Sequence, residues 1–430
     1  MPWFSHEADS IPRSEVEQMC QRLLDEAKTR LNIKEFKRVL LLPPDLTRAH
    51  AGVGWITETI YKLLPASCDT HVIPTLGQHV PHTEAENKWM FGSIPHSRIH
   101  AHDWRGGVTR VGVIPGALVK EKSAGAADWD IPVDLNTMTV TEKWDLIINI
   151  GHVVPHEVLG FANHNKNYFI GLGGKETICA SHLAAATYGI ENNLGKLITP
   201  LRACFNYAED QFLGNLPDVY LQVVMQRDPH NKLVHSGVYV GDDLETYLMA
   251  AHRSRAQNVT TFDKPLKKVV AVMQADEFRR TWVANKAVYR TRMAIADGGE
   301  LLIIAPGVNG FGEQPEVDAF IRKYGYQSTP NVMALYRQNA DMQDLAHATA
   351  HLMHGTSEGR FTITYAPALL TKQEVNQVHY NYMALNEALE RYNPAKMKEG
   401  FNTMPDGEEI FFISTPSAGL WSTKAKLAGR

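Results

Sequence analysis

The sequence is short of most features that would assign its class directly. It holds four cysteines, Cys20, Cys68, Cys179 and Cys204, too few and too scattered for a disulfide framework, and no CxxC pair. No apolar run approaches the roughly 18–20 residues of a membrane span. The opening MPWFSHEADSIPRSE lacks a basic stretch followed by an apolar one, so no signal peptide is expected and the cytoplasm is the expected location. Neither sign of charge dominates: 43 Lys and Arg against 47 Asp and Glu leave a formal −4. That balance gives no basic footprint for nucleic acid or an anionic membrane. Repeats and low-complexity tracts are also missing.

What is present is an ordinary globular composition, 44% apolar and 21% charged, over 430 residues, long enough for two or three cores. Histidine is the exception. There are 19, and ten fall between His71 and His182, a density that calls for a search for acid–base or metal chemistry.

Short apolar runs alternate with amphipathic stretches, the pattern of α/β architecture with mostly parallel strands. Strands are expected at Arg38–Leu42, His71–Pro74, Asp145–Ile150, Lys268–Met273, Leu301–Ala305, Phe361–Tyr365 and Ile410–Ser414. Helices are expected over Trp55–Leu64 and from Thr371, whose spacing to Glu374 fits a capping box before VNQVHYNYMALNEALERY. The polar stretch Asp263-Lys-Pro-Leu-Lys-Lys268 suggests a boundary, giving an N-terminal domain over 1–265 and a C-terminal domain over 266–430.

The residues directly after the strands carry the functional signal. RVLLL runs into Pro43-Pro44-Asp45-Leu46-Thr47-Arg48, HVIP into Thr75-Leu76-Gly77-Gln78-His79, and DLIINI into Gly151-His152-Val153-Val154-Pro155-His156. Open α/β sheets bind ligands beyond the carboxyl ends of their strands, so Asp45, Arg48, His79 and His156 are expected in one crevice.

Other constellations are weaker. Gly171-Leu-Gly-Gly-Lys-Glu-Thr177 looks like a phosphate loop, but Glu176 stands where a P-loop needs Ser or Thr. His347, His351 and His354 share a helix face without the glutamate of a zinc protease motif, which favours a partly buried structural face. The stretch Pro155–His182 gathers His156, His164, Lys166, Lys175 and His182 among glycines. A lysine there could be a point charge or a covalent anchor. A zinc hydrolase using His156, His164 and His182 is one alternative, and a two-domain binder of sugar acids is another.

In order along the chain, Asp45-Leu46-Thr47-Arg48, Gly77-Gln78-His79, Pro155-His156, Gly160-Phe161, Lys166, Gly171 and His182 resemble the lactate racemase family of nickel-pincer-nucleotide enzymes. The spacings of ten residues from His156 to Lys166 and sixteen from Lys166 to His182 match that family, as does the stretch from Trp282 through Lys286 to Glu300. The resemblance implies two α/β domains with the active site in the crevice between them. It implies a cofactor, Ni(II)-pyridinium-3,5-bisthiocarboxylic acid mononucleotide, attached covalently at Lys166, with His182 as the protein ligand to nickel. Asp45, Leu46, Thr47 and Arg48 would bind the nucleotide, and Arg48 and Lys286 the substrate. His79 and His156 would be the catalytic acid–base pair. The implied activity is racemisation or epimerisation at C2 of a 2-hydroxy acid by reversible hydride transfer, with cofactor-biosynthesis proteins as partners.

Two departures bear on substrate. Ala162-Asn163-His164-Asn165 replaces a run of small residues, and Trp282-Val283 replaces a Tyr-Gln pair. Added hydrogen-bonding side chains suggest a polyhydroxylated acid, an aldonate epimerised at C2, with lactate racemisation proper as the alternative.

Overall fold

A computed structural model describes residues 1–230 and 232–428. They divide into two compact α/β units, Met1–Ser181 with Leu197–Gln257, and His182–Lys196 with Asn258–Arg430. No helix among the described residues is long and apolar enough to cross a membrane.

The first unit is built on a six-stranded sheet. Its order is Phe4–Ile11, Leu233–Gly241, Asp218–Arg227, Leu146–His152, Arg38–Leu42 and Asp69–Val72. The last four strands run parallel, and the first two complete the sheet antiparallel. Val39–Leu42 is wholly apolar and Leu146–His152 is buried throughout, because both faces of a parallel sheet are covered. Helix Arg13–Arg30 turns Val16, Met19, Cys20, Leu23, Leu24 and Ala27 inward at helical spacing, and they join Val39, Leu41, Ile148 and Leu221 in one core.

The second unit has its own six-stranded sheet, in the order Asn381–Tyr382, Thr362–Pro367, Ile295–Ala305, Leu266–Val272, Glu409–Ile413 and Gly400–Thr403. Only the last pair is antiparallel. All seven strands expected from the sequence are present, with shifted ends. The division itself departs from 265/266 in two ways. Val259–Phe262 pairs in parallel with Leu420–Thr423, so the second unit starts at Asn258. It also takes in His182–Lys196. Glu191 there receives Arg292 at 3.1 Å, Arg360 at 2.6 Å and Lys426 at 3.2 Å, while Lys196 donates to the carbonyls of Lys426 and Leu427.

One expected helix is interrupted. Thr371 and Glu374 form the capping box, yet the helix ends at Gln377. His379 adopts a left-handed φ of 67°, Asn381–Tyr382 becomes an edge strand, and a separate helix covers Leu385–Arg391. At the break the buried Tyr380 hydroxyl donates to the Gly355 carbonyl at 2.7 Å and lies 3.1 Å from Asn285 Oδ1.

Candidate active site

Three adjacent parallel strands of the first unit end at the residues of interest. Pro43 and Pro44 stop Arg38–Leu42, since proline has no N–H for a ladder. Asp45 then caps the short helical turn Leu46–Ala51. Its Oδ1 accepts from the Thr47 N–H at 3.2 Å and the Thr47 hydroxyl at 2.5 Å. Oδ2 is left for Nδ1 of His79, which it meets in a short contact. The carboxylate is buried, whereas the His79 ring is 62% exposed. A carboxylate only accepts, so a neutral His79 carries its proton on Nδ1 and presents the Nε2 lone pair as a base.

Burial pushes the Asp45 carboxyl up, but His79, the Thr47 hydroxyl and Arg48 outweigh it and hold the group at about 2, below its ordinary 3.8. A depressed carboxyl stabilises the fold above its unfolded pKa, and that contribution disappears as pH falls through the folded one. Wild-type thermal stability should therefore drop more steeply from about pH 4 to pH 2 than that of Asp45→Asn. Parallel melting curves for the two proteins would show that His79 and Thr47 do not hold the carboxylate.

His156 has the opposite polarity. It lies on the hairpin Pro155–His156/Gly160–Phe161, and its Nδ1 accepts the Val158 N–H at 3.2 Å. A neutral His156 therefore carries its proton on Nε2. One imidazole is set as a base and the other as an acid.

Lys166 sits on the loop between these elements. Asn163 and His164 both have left-handed φ, 69° and 59°, so the loop is held by specific bonds. Asn167 donates to Asn149 at 2.6 Å and to Asn163 at 2.8 Å. Asn165 donates to Asn206 and Glu209, and accepts from the fully buried Arg202. Arg202 also donates to the carbonyls of Phe161 and Asn163. Replacing Arg202 by leucine strands these acceptors in the interior and should cost about 2–5 kcal/mol in urea unfolding. An unchanged midpoint and slope would show that the loop does not depend on it.

The Lys166 amine is lowered to about 8. Burial is the main cause, and Arg48 adds to it, with Glu157 and Asp45 opposing. Burial also lowers Arg48, again against Asp45 and Glu157. The loops interlock: Gly77, at φ 57°, donates its N–H to the Gly171 carbonyl at 2.8 Å. A side chain at Gly171 would lie 2.5 Å from the Thr75 Cβ, so this glycine serves packing of the protein on itself.

Asp45, Arg48, His79 and Lys166 thus share one electrostatic environment in the first unit. Glu157, which the sequence reading passed over, joins them; its only sequence signal was a carboxylate next to His156. Leu46 packs its side chain against the core, and Thr47 serves Asp45. His182 is a half-buried residue of helix Lys175–Tyr188, and the half-buried Lys286 opens helix Lys286–Thr291; both belong to the second unit.

Two expectations change. Asn163, His164 and Asn165 face inward: His164 stacks on Tyr220 at 4.2 Å and lies 5.2 Å from Tyr247, and the asparagines are bonded as described. The Asn165 amide is therefore spent on the loop, whereas Asn163 Nδ2 and both His164 nitrogens are buried without a hydrogen-bond partner among the described residues. A zinc site has no ligand set, since among the described residues no three His, Cys, Asp or Glu side chains could hold a metal ion. The His347–His354 face is structural as expected, with the His351 nitrogens on the Tyr289 and Tyr326 hydroxyls at 2.8 and 3.1 Å and its ring on Trp282.

Residues 5–193 match the family model described as the lactate racemase N-terminal domain. A crystal structure of a Thermotoga maritima protein aligns with a TM-score of 0.78 at 22% identity, covering 97% of this chain and 100% of that one. The lactate racemase apoprotein from Thermoanaerobacterium thermosaccharolyticum aligns with a TM-score of 0.71 at 17% identity, covering 94% and 92%. These likenesses show the fold. No curated protein matches the chain significantly.

Proposed function

We propose that this chain, whose residues 5–193 match the lactate racemase N-terminal domain, is an isomerase inverting C2 of a 2-hydroxy carboxylic acid with a nickel-pincer nucleotide. The observation that carries this reading is the opposed polarity of the two histidines, His79 Nε2 as acceptor and His156 Nε2–H as donor. Inversion through a planar 2-keto acid needs the hydroxyl proton taken in one half-reaction and returned in the other. Imidazoles titrating near neutral pH suit both tasks.

The residues fit the cofactor. Burial and Arg48 lower the Lys166 amine towards neutrality, the direction a nucleophilic amine needs. Gln78 Nε2 is a buried donor without an acceptor among the described residues, next to His79. When bound, a nickel-pincer nucleotide supplies a reversible hydride acceptor. Lys166 would hold it covalently, His182 would ligate nickel through a neutral imidazole, and Asp45–Arg48 would bind the nucleotide. Arg48, through its bidentate fork, and Lys286 would hold the substrate carboxylate. Asn165 is committed to the loop, so the aldonate reading keeps only Asn163 and His164 in its support, and the substrate class stays at 2-hydroxy acids, lactate included.

The test is protein produced alongside the cofactor-biosynthesis proteins, assayed on lactate, other chiral 2-hydroxy acids and aldonates. Inversion of at least one, with a mass increment on Lys166, is expected. A loaded protein that inverts none would overturn the reading. His182→Ala should lose nickel while keeping the Lys166 increment; full nickel occupancy by elemental analysis would remove His182 as ligand.

A further inference from the structure

We infer that His82 is a positioning residue for the Asp45–His79 pair, clasping the two loops that carry it; this rests on the reading of His79 as a base. His82 Nε2 accepts the backbone N–H of Leu46, the residue after Asp45, at 3.2 Å. Its Nδ1 lies 3.2 Å from Asn87 Oδ1, and Asn87 Nδ2 lies 3.2 Å from His96 Nδ1. Only one arrangement of protons satisfies the chain. Leu46 donates to His82, so His82 Nδ1 carries the proton and donates to Asn87, whose amide nitrogen donates to His96.

The far end of this chain is rigid. Asn87 is buried in helix Glu84–Phe91, whose start is fixed by a capping box between Thr83 and Glu86, and the His82 ring stacks on the buried Phe91. Loop and helix therefore meet at two points three residues apart, His79 on the Asp45 side chain and His82 on the Leu46 backbone. Val80, between them, is 80% exposed and packs on nothing that could do the same work. The N–H of Leu46 would otherwise be among the unsatisfied donors at the start of its turn. Holding it fixes the backbone from which the Asp45 carboxylate reaches His79, and so the direction of Nε2.

The test compares His82→Phe, which keeps a ring on Phe91 without an acceptor, with His82→Gln, which restores both an acceptor and a donor. In loaded His82→Phe, kcat should fall about 10–100-fold with KM changed by about twofold or less, and His82→Gln should recover most of the loss. Amide exchange at Leu46 should quicken in His82→Phe and return to the wild-type rate in His82→Gln. Unchanged kcat in His82→Phe, or no recovery in His82→Gln, overturns the assignment. His79→Ala run in parallel separates the two readings: retained turnover there overturns the base assignment, while Leu46 exchange reports the clasp directly.

Discussion

Lys166→Ala is expected to fold as the wild type does and to lose turnover by about 10⁴-fold or more, the scale seen when a covalent catalytic group is removed. The two halves of this result have separate causes. Asn163, Asn165, Asn167 and Arg202 hold the loop, and no hydrogen bond among the described residues passes through the Lys166 amine. Burial and Arg48 both disfavour its charge, so removing it relieves an unfavourable group and should leave the urea midpoint unchanged or slightly higher. The same environment keeps part of the amine unprotonated and nucleophilic, which alanine cannot replace. Intact-mass measurement should find no increment on the variant. Wild-type turnover in a nickel-loaded Lys166→Ala sample would exclude the covalent anchor.

His79→Ala should depress inversion in both directions by about 10²–10⁴-fold, the usual range for general acid–base catalysis. Both directions must fall together because no substitution changes the equilibrium between the stereoisomers. His156→Ala should do the same. A single half-reaction, oxidation of one isomer to the keto acid, should survive weakly in each. Asp45→Asn tests the polarity itself: an amide can donate to Nδ1 and so favour the tautomer with the proton on Nε2, where a base needs a lone pair. Its loss should reach the upper end of that range, about 10⁴-fold, with KM little changed. Rates are to be measured from each pure enantiomer. A His79 or His156 variant that keeps most of its turnover in both directions would refute the two-base mechanism.

The sequence alone determined that Asp45 and His156 follow strands, because the apolar stretches VLLL and LIINI of a covered parallel sheet make their polar sequels stand out; His79 follows the shorter edge strand Asp69–Val72. It also determined the Thr371–Glu374 cap, a purely local pairing. Phe4–Ile11 escaped notice because it alternates exposed polar residues at a sheet edge, and its place is set by pairing with Leu233–Gly241, more than two hundred residues away. Asn165 reads as a ligand contact in sequence, but in the fold Arg202, Asn206 and Glu209 take up its amide. His82, equally plain in sequence, gained its role from one backbone N–H at Leu46. Periodicity records which face of a segment is apolar. Which distant group satisfies a buried polar atom depends on the packed chain, and that was decided only by the tertiary structure.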